Sequence, residues 1–98
     1  MRATRIIKEA MSTQTCEHFD NLTTVADPSS TVCDQCVAMG DNWVHLRSCL
    51  GCGMVGCCDD SKNRHARGHW EQEGHPLVRS IEPRESWRYC FADDLLMM

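Results

Sequence analysis

Eleven cysteine and histidine residues in this 98-residue chain have the types and spacing of metal ligands. They form two Cys-x2-Cys pairs, one Cys-x-His pair and one His-x3-His pair, with single residues between and after them. Zinc binds thiolate and imidazole, and a structural zinc ion takes four ligands. The residues are Cys16, His18, Cys33, Cys36, Cys49, Cys52, Cys57, His65, His69, His75 and Cys90. Two CxxC pairs followed by these histidines predict structural zinc.

The number of zinc ions depends on one carboxylate. Eleven ligands are one short of three complete sites, and Asp93 stands three residues after Cys90, where a Cys-x2-Cys pair would have its second thiol. Carboxylate oxygen is an accepted zinc ligand. We therefore expect two or three Zn²⁺ ions, with three favoured. Cys58 is left as a small buried thiol that could exchange roles with Cys57, and His45 is expected to be a hydrogen-bonded structural histidine.

The same residues argue against catalysis. A zinc protease needs a general-base glutamate directly after the first histidine of its helical pair, whereas Ala66 follows His65 here. Sites with four protein ligands also leave no position for water or substrate. Cys58 could act as a nucleophile only as a thiolate, and the adjacent Asp59 and Asp60 would disfavour that charge. The sequence predicts a protein that is not an enzyme.

The composition indicates that the fold depends on metal. Leu, Ile, Val and Phe number only 17 of 98 residues, below the roughly 20% of ordinary globular chains. With a net charge of −4 the chain lacks the basic balance of a nucleic-acid-binding domain. No signal peptide or membrane-spanning stretch is evident, so we expect no membrane association and a reducing, cytoplasmic setting in which thiols bind metal rather than form disulfides.

Several elements must position these ligands. Residues 1–15 are predicted to be a mobile leader, 16–94 the zinc-binding domain and 95–98 a short apolar tail that either packs or frays. Alternating polarity predicts a strand over 43–47, and further strands are expected over 76–81 and 87–92. The predicted segments are completed by a helix that starts with a cap among residues 59–61, runs to about Glu73 and ends at Gly74.

These residues resemble a known family, the ubiquitin-specific-protease (UBP) type zinc finger of deubiquitinases, one histone deacetylase and some E3 ligases. The likeness is greatest to small stand-alone prokaryotic members. It covers about residues 16–93. Its carriers are Cys16-Glu17-His18, Cys33-Asp34-Gln35-Cys36, Trp43-Val44-His45-Leu46, Cys49-Leu50-Gly51-Cys52-Gly53, Asn63-Arg64-His65-Ala66, His69, Gly74-His75-Pro76 and Trp87-Arg88-Tyr89-Cys90-Phe91. From this resemblance and from the predicted strands and helix, we expect an α+β fold. It would be a small zinc-stabilised domain with a twisted antiparallel sheet, one main helix and long metal-binding loops.

The resemblance implies three interleaved ligand sets. One would comprise Cys16, His18, Cys90 and Asp93, with Asp93 where three-zinc members have a cysteine. The second would comprise Cys33, Cys36, Cys57 and His65, and the third Cys49, Cys52, His69 and His75.

The resemblance also implies a binding pocket. Family members that bind ubiquitin insert its free C-terminal Gly-Gly tail into a slot walled by aromatic rings, and Trp43, Tyr89 and Phe91 stand at or near the matching positions. Packing of these rings in a small core is the alternative. The family's Cys-Gly-Arg motif reads Cys57-Cys58-Asp59 here, which leaves Arg47, Arg64 or Arg67 to supply the missing cation.

The sequence thus predicts a monomeric, non-catalytic zinc-binding module that recognises a protein C-terminal tail or an extended peptide, ubiquitin-like by resemblance. One alternative is a purely structural or metal-handling zinc protein without a tail pocket. Another is a subunit that assists a larger enzyme. A RING-type ligase component fits less well, because the Cys-x-His-x2-Cys centre of RING domains is missing.

Overall fold

The computed structural model describes residues 16–97, which form a five-stranded antiparallel sheet with three helices. The strands are β1 Leu46–Cys49, β2 Val55–Cys57, β3 Leu77–Ser80, β4 Arg88–Cys90 and β5 Leu95–Met97. The helices are α1 Glu17–Asp20, α2 Asp34–Met39 and α3 His65–Glu73. The predicted leader, 1–15, lies outside the described residues. Within residues 16–97, no helix has the length and apolar character needed to cross a membrane.

The sheet has the strand order β2-β1-β3-β4-β5. The predicted α+β class, antiparallel sheet and main helix are confirmed, and two of the predicted strands are present within their expected segments as β3 and β4. The strand predicted from Trp43 begins instead at Leu46 and continues to Cys49. Trp43 precedes the sheet because its ring packs against the buried residues around Cys57. Strand β2 and the short helices α1 and α2 were not predicted.

The apolar segment at the end of the chain is part of the sheet. The sequence left open whether residues 95–98 pack or fray, and Leu95–Met97 pair with β4 as strand β5. Leu95 and Met97 pack against a buried cluster that contains Cys16 and Cys90. Partial burial of these two side chains favours pairing over fraying.

Helix α3 starts later than the capping pattern predicts. Its first residue is His65, and Arg64 before it has a left-handed backbone with φ 49°. The predicted start among residues 59–61 is wrong because this segment forms the turn that returns the chain from β2 to the helix. The predicted end is confirmed: Gly74 has φ 77° and its N–H donates to the carbonyl of Trp70 at 2.8 Å.

The buried side chains fall into three small clusters rather than one core. The first contains Cys33, Cys36, Leu46, Val55 and Cys57, the second Cys16, Leu50, Leu77 and Cys90, and the third Ala66, Val78 and Phe91. Cysteines make up five of the nine residues in the first two clusters. A fold with so little aliphatic packing depends on whatever its thiols bind.

The contact between α3 and β2 requires a glycine. A Cβ on Gly56 would lie 2.6 Å from the backbone nitrogen of Ala66 and 2.9 Å from the carbonyl carbon of His65. We expect Gly56→Ala to destabilise the protein by about 1–3 kcal/mol, because the helix must move away from the strand. Gly68→Ala is the matched control: nothing lies within 4 Å of a Cβ there, and the same change is expected to stabilise α3 by about 0.5–1 kcal/mol. Thermal denaturation of both variants measures the effect, and equal melting temperatures would contradict it.

Candidate metal centre

The structure brings twelve predicted ligands together as three groups of four. In each group the four donor atoms lie within 4.8 Å of one another. Tetrahedral zinc with bonds of 2.0–2.3 Å places its ligand atoms about 3.3–3.8 Å apart. We call the groups the buried cluster (Cys33, Cys36, Cys57 and His65), the helix cluster (Cys49, Cys52, His69 and His75) and the terminal cluster (Cys16, His18, Cys90 and Asp93).

The buried cluster joins α2, β2 and α3. The Nδ1 atom of His65 lies 3.2 Å from Sγ of Cys33, 3.4 Å from Sγ of Cys36 and 3.6 Å from Sγ of Cys57. All three thiols are 0% exposed. These separations match those of four ligands around one zinc ion.

Neighbouring donors support the sulfur atoms of the buried cluster. The backbone N–H of His65 donates to Sγ of Cys57 at 3.2 Å, and the Asn63 amide donates to Sγ of Cys36 at 3.6 Å. The other Asn63 contact, to the Asp41 carboxylate at 3.0 Å, fixes the amide. Such hydrogen bonds orient the sulfur atoms as ligands. Asn63 was not singled out as a ligand-supporting residue, since no sequence spacing indicates that role.

The helix cluster uses one face of α3 and the knuckle after β1. The Nε2 atom of His69 lies 3.3 Å from Sγ of Cys52 and 3.2 Å from Nδ1 of His75, and the latter is 3.7 Å from Sγ of Cys49. In the knuckle, a Cβ on Gly53 would collide with the carbonyl oxygen of Asp27. Burial and the nearby His75 lower the pKa of His69, so its imidazole is available in the neutral form that binds metal.

The terminal cluster joins helix α1 to the end of strand β4 and the turn that follows it. Oδ2 of Asp93 lies 3.1 Å from Sγ of Cys16 and 3.2 Å from Nδ1 of His18, which is 3.5 Å from Sγ of Cys90. This cluster is the most open, because the side chains of His18 and Asp93 are 42% and 39% exposed. A carboxylate thus occupies the fourth position with the spacing of a ligand.

Protons compete with metal at these thiols. Burial, together with the hydrogen bond to Asp93, raises the pKa of Cys16 to about 11, and burial also raises the pKa of Cys36 and of Cys49. Without metal these three thiols are therefore protonated at neutral pH. Zinc must displace those protons, so its apparent affinity falls as the pH falls.

The two cysteine and histidine residues outside these clusters have other roles. The structure brings Cys57 rather than Cys58 to the buried cluster, and Sγ of Cys58 lies 3.6 Å from Oγ of Ser61. The His45 side chain is exposed, and its carbonyl accepts the N–H of Cys58 at 3.0 Å. All eight cysteines are free thiols. None is committed to a disulfide that would compete with zinc.

One pocket next to the metal clusters carries most of the predicted peptide-binding residues. Its volume is about 200 Å³, below the range of about 300–1,000 Å³ that is typical of small-molecule sites. Its walls are Arg47, Cys58, Asp59, Asp60, Ala66, Val78, Trp87, Tyr89, Phe91 and Leu96. We call it the aromatic pocket, after its three rings. Tyr89 meets Phe91 edge to face with centroids 5.3 Å apart, and the Tyr89 hydroxyl donates to Asp94.

Not all the predicted peptide-binding residues line this pocket. Arg47, Tyr89 and Phe91 do, whereas Trp43 and Arg64 do not. The Trp43 ring packs on the residues of the buried cluster, in agreement with the packing alternative for this residue. Trp87 takes its place among the pocket rings. Its position two residues before Tyr89 and four before Phe91 was the available signal, because alternate residues of a strand share one face.

Comparison with known proteins agrees with this geometry. The profile of the family described as the Zn-finger in ubiquitin-hydrolases and other proteins matches residues 33–96. The chain belongs to this UBP-type zinc-finger family. Family membership and the three Cys/His clusters together show that this UBP zinc finger is a zinc-binding domain.

Two curated relatives contain the UBP zinc finger within much longer chains. This chain is 35% identical over 63 residues to the BRAP2 RING ZnF UBP domain-containing protein 2 of Arabidopsis thaliana, a match that covers 64% of this chain. It is 31% identical over 93 residues to ubiquitin carboxyl-terminal hydrolase 14 of Schizosaccharomyces pombe, which covers 82% of this chain. In both cases the match spans only 12% of the relative's length.

A solved structure resembles this UBP zinc finger over most of both chains. The solution NMR structure of protein RPA1320 from Rhodopseudomonas palustris superposes with a TM-score of 0.78 at 40% identity. The match covers 88% of this chain and 83% of that chain. The likeness to a small bacterial protein accords with the resemblance to stand-alone prokaryotic members.

Proposed function

We propose that this UBP zinc finger is a non-catalytic module that holds three zinc ions in its three clusters and binds a protein C-terminal tail or an extended peptide in the aromatic pocket. The observation that carries the proposal is that Trp87, Tyr89 and Phe91, alternate residues on and directly next to strand β4, line one pocket together. We further propose that the protein acts as a monomer in the cytoplasm, where its eight free thiols stay reduced.

The shape of the aromatic pocket suits a narrow main chain. Trp87 and Tyr89 are partly exposed, so their ring surfaces are available to a ligand. Residues without large side chains fit between such walls. The C-terminal Gly-Gly tail of ubiquitin has this form, and ubiquitin is the partner suggested by the occurrence of this zinc-finger family in ubiquitin hydrolases.

The absence of catalysis follows from the ligand count. Each cluster provides four protein donors, which completes the coordination of a structural zinc ion and leaves no position for a reacting water. The remaining thiol, Cys58, is only 4% exposed and is followed by two acidic residues. Burial leaves this thiol little access to a substrate.

The proposed function is tested by NMR titration of the isotope-labelled, zinc-loaded protein with ubiquitin and with ubiquitin lacking its last two glycines. We expect intact ubiquitin to shift the Trp87 indole and the Leu96 amide, and the truncated form to shift neither. Trp87→Ala should weaken binding at least about 10-fold, since stacking surface is lost. Val37→Ala, on an exposed part of α2, is the control and should bind normally.

Each of the other results would contradict part of the proposal. Equal shifts with both forms of ubiquitin would exclude its tail as the ligand. No shift with either form would exclude ubiquitin as the partner. If a library of peptides with free C-termini also gave no shift at the aromatic pocket, the alternative of a purely structural zinc protein would hold.

A further inference from the structure

A second cavity lies on the face of the sheet opposite the aromatic pocket. Val78 and Tyr89 line the aromatic pocket, and Arg79 and Arg88 are their chain neighbours in β3 and β4. Successive side chains of a strand point to opposite faces, so the two arginines lie on the other face. They line a cavity of about 450 Å³, within the range of about 300–1,000 Å³ typical of small-molecule sites. We call it the arginine cavity, and its walls include Pro28, Arg79, Ser80, Glu82, Glu85 and Arg88.

The two arginines place like charges side by side. Arg79 of β3 is the direct pairing partner of Arg88 in β4. Side chains at such paired positions are neighbours on one face, and like charges there destabilise a sheet. The Cζ atom of Arg88 lies 4.4 Å from the centroid of the Phe19 ring, a contact that holds this guanidinium in place. An anion bound between the two arginines would offset their repulsion.

The Arg79 side chain has few acceptors within the protein. Among residues 16–97, no carboxylate forms an ion pair with Arg79. Its Nη2 donates to the carbonyl of Ala26 over a long distance of 3.5 Å. Its Nε is buried and has no hydrogen-bond partner within the same described residues. Because an arginine has five N–H donors, most of the donors of Arg79 are left for a ligand.

The acidic residues of the arginine cavity are bound to other groups. Glu82 accepts the backbone N–H of Leu46 at 2.8 Å, and Glu85 accepts the hydroxyl of Ser80. Neither carboxylate therefore neutralises Arg79. Each keeps acceptor capacity, because an ionised carboxylate can accept about four hydrogen bonds. The cavity thus offers cationic donors and anionic acceptors to one ligand.

We propose that the arginine cavity binds a small organic anion that also carries hydroxyl or amino groups. The carboxylate or phosphate group of the ligand lies between Arg79 and Arg88 and accepts N–H bonds from Arg79, whose planar guanidinium can donate two in parallel. The hydroxyl or amino groups of the ligand donate to Glu82 and Glu85. This site is on the other face of the sheet from the proposed tail site, so the inference goes beyond the proposed function and does not depend on it.

The test is NMR titration of the isotope-labelled, zinc-loaded protein with four probes. Glycerol 3-phosphate and glycerate share a short hydroxylated carbon chain and differ in their anionic group, whereas inorganic phosphate lacks the chain and glycerol lacks the charge. We expect at least one of the two organic anions to shift the Nε–H signal of Arg79 and the Ser80 amide with a Kd below about 1 mM. The same anion should bind at least about 10-fold more tightly than inorganic phosphate or glycerol. Comparison of the phosphate with the carboxylate identifies the preferred anionic group.

Variants of Arg79 and of a nearby arginine locate the site. Arg79→Gln should weaken binding of the organic anion at least about 10-fold, because a hydrogen bond to a charged group is lost. Arg79→Lys should weaken it less, since lysine keeps the charge without the planar fork. Arg84→Asn is the matched control and should bind as the wild type does. Arg84 is an exposed residue of the turn between β3 and β4, does not line the cavity and has φ 70°, which asparagine tolerates. Backbone spectra of the variants verify that each is folded.

Each outcome supports or overturns the site. Binding that is weakened in Arg79→Gln but not in Arg84→Asn supports it. If folded Arg79→Gln binds as tightly as the wild type, or if neither organic anion saturates, the proposal is overturned. Equal affinity for inorganic phosphate or for glycerol would also overturn it, because the ligand would then need no carbon chain or no charge. None of these results depends on the titration with ubiquitin, so the two proposals can fail separately.

Discussion

Replacing Cys57 by serine is expected to unfold the protein, whereas the same change at Cys58 should leave it folded. Cys57 belongs to the buried cluster, while Cys58 belongs to none of the three clusters and its thiol lies next to the Ser61 hydroxyl. A structural zinc site contributes on the order of 10 kcal/mol, comparable with the whole stability of about 5–15 kcal/mol of a small domain. Serine is not a zinc ligand of comparable strength, so Cys57→Ser should lose both the metal and the fold.

The two variants differ by one position and share one chemical change. Circular dichroism during heating measures the fold, and elemental analysis of the dialysed protein measures the metal content. Cys58→Ser should keep its zinc and lose no more than about 1–2 kcal/mol, the cost of a small polar change at a buried site. Chelation of the wild type should reproduce the Cys57→Ser state, and added zinc should reverse it. An intact fold after chelation would contradict the dependence on metal, and equal loss in both variants would contradict the assignment of Cys57.

The second large effect is expected at Asp93. Asp93→Asn should remove one zinc ion from the protein, so that native mass spectrometry finds two ions where the wild type has three. The asparagine side chain of the variant lacks the negative charge of the Asp93 carboxylate, which would bind metal together with Cys16 and His18. Loss of a direct ligand should weaken this site more than the 10–100-fold that is typical of losing a residue that only supports a ligand.

Asp94→Asn is the control for the Asp93 variant. Asp94 is the next residue, accepts the Tyr89 hydroxyl and belongs to none of the three clusters. It has φ 52°, a conformation that asparagine tolerates. This variant should retain three ions. If the wild type itself binds only two, or if Asp93→Asn retains three, the carboxylate is not a ligand. Asp93→Cys should instead hold zinc against a chelator for longer, since thiolate is the stronger ligand.

The ligands could be predicted from the sequence because their chemistry is local. Spacings such as Cys33-x2-Cys36 place two thiols on one turn whatever the rest of the chain does. Spacing alone does not show which ligands share one zinc ion. His65 and Cys33 are 32 positions apart, and only the family resemblance implied that they meet. The structure brings the same three sets together.

The aromatic pocket shows the opposite case. Trp43 was assigned to the pocket and Trp87 was not. The sequence around a tryptophan that precedes a strand is the same whether its side chain packs in the core or lines a groove. The ends of the sheet decide which occurs, and these depend on burial against residues far along the chain. Strand β2 was missed because three residues carry no periodic signal, and β5 because its pairing with β4 outweighs the fraying expected of a terminal segment.

The terminal cluster has a consequence for the order in which the molecule is assembled. Cys16 and Asp93 are 77 positions apart, whereas Cys49 and His75 of the helix cluster are separated by 26. Closing the longer loop costs about 1 kcal/mol more in chain entropy. The helix cluster is complete once the chain has been made as far as His75, whereas the terminal cluster also needs Cys90 and Asp93. A zinc ion in the terminal cluster would therefore bind last and would link helix α1 to the turn after β4. Because this cluster is the most exposed of the three, its ion should also be the first to leave.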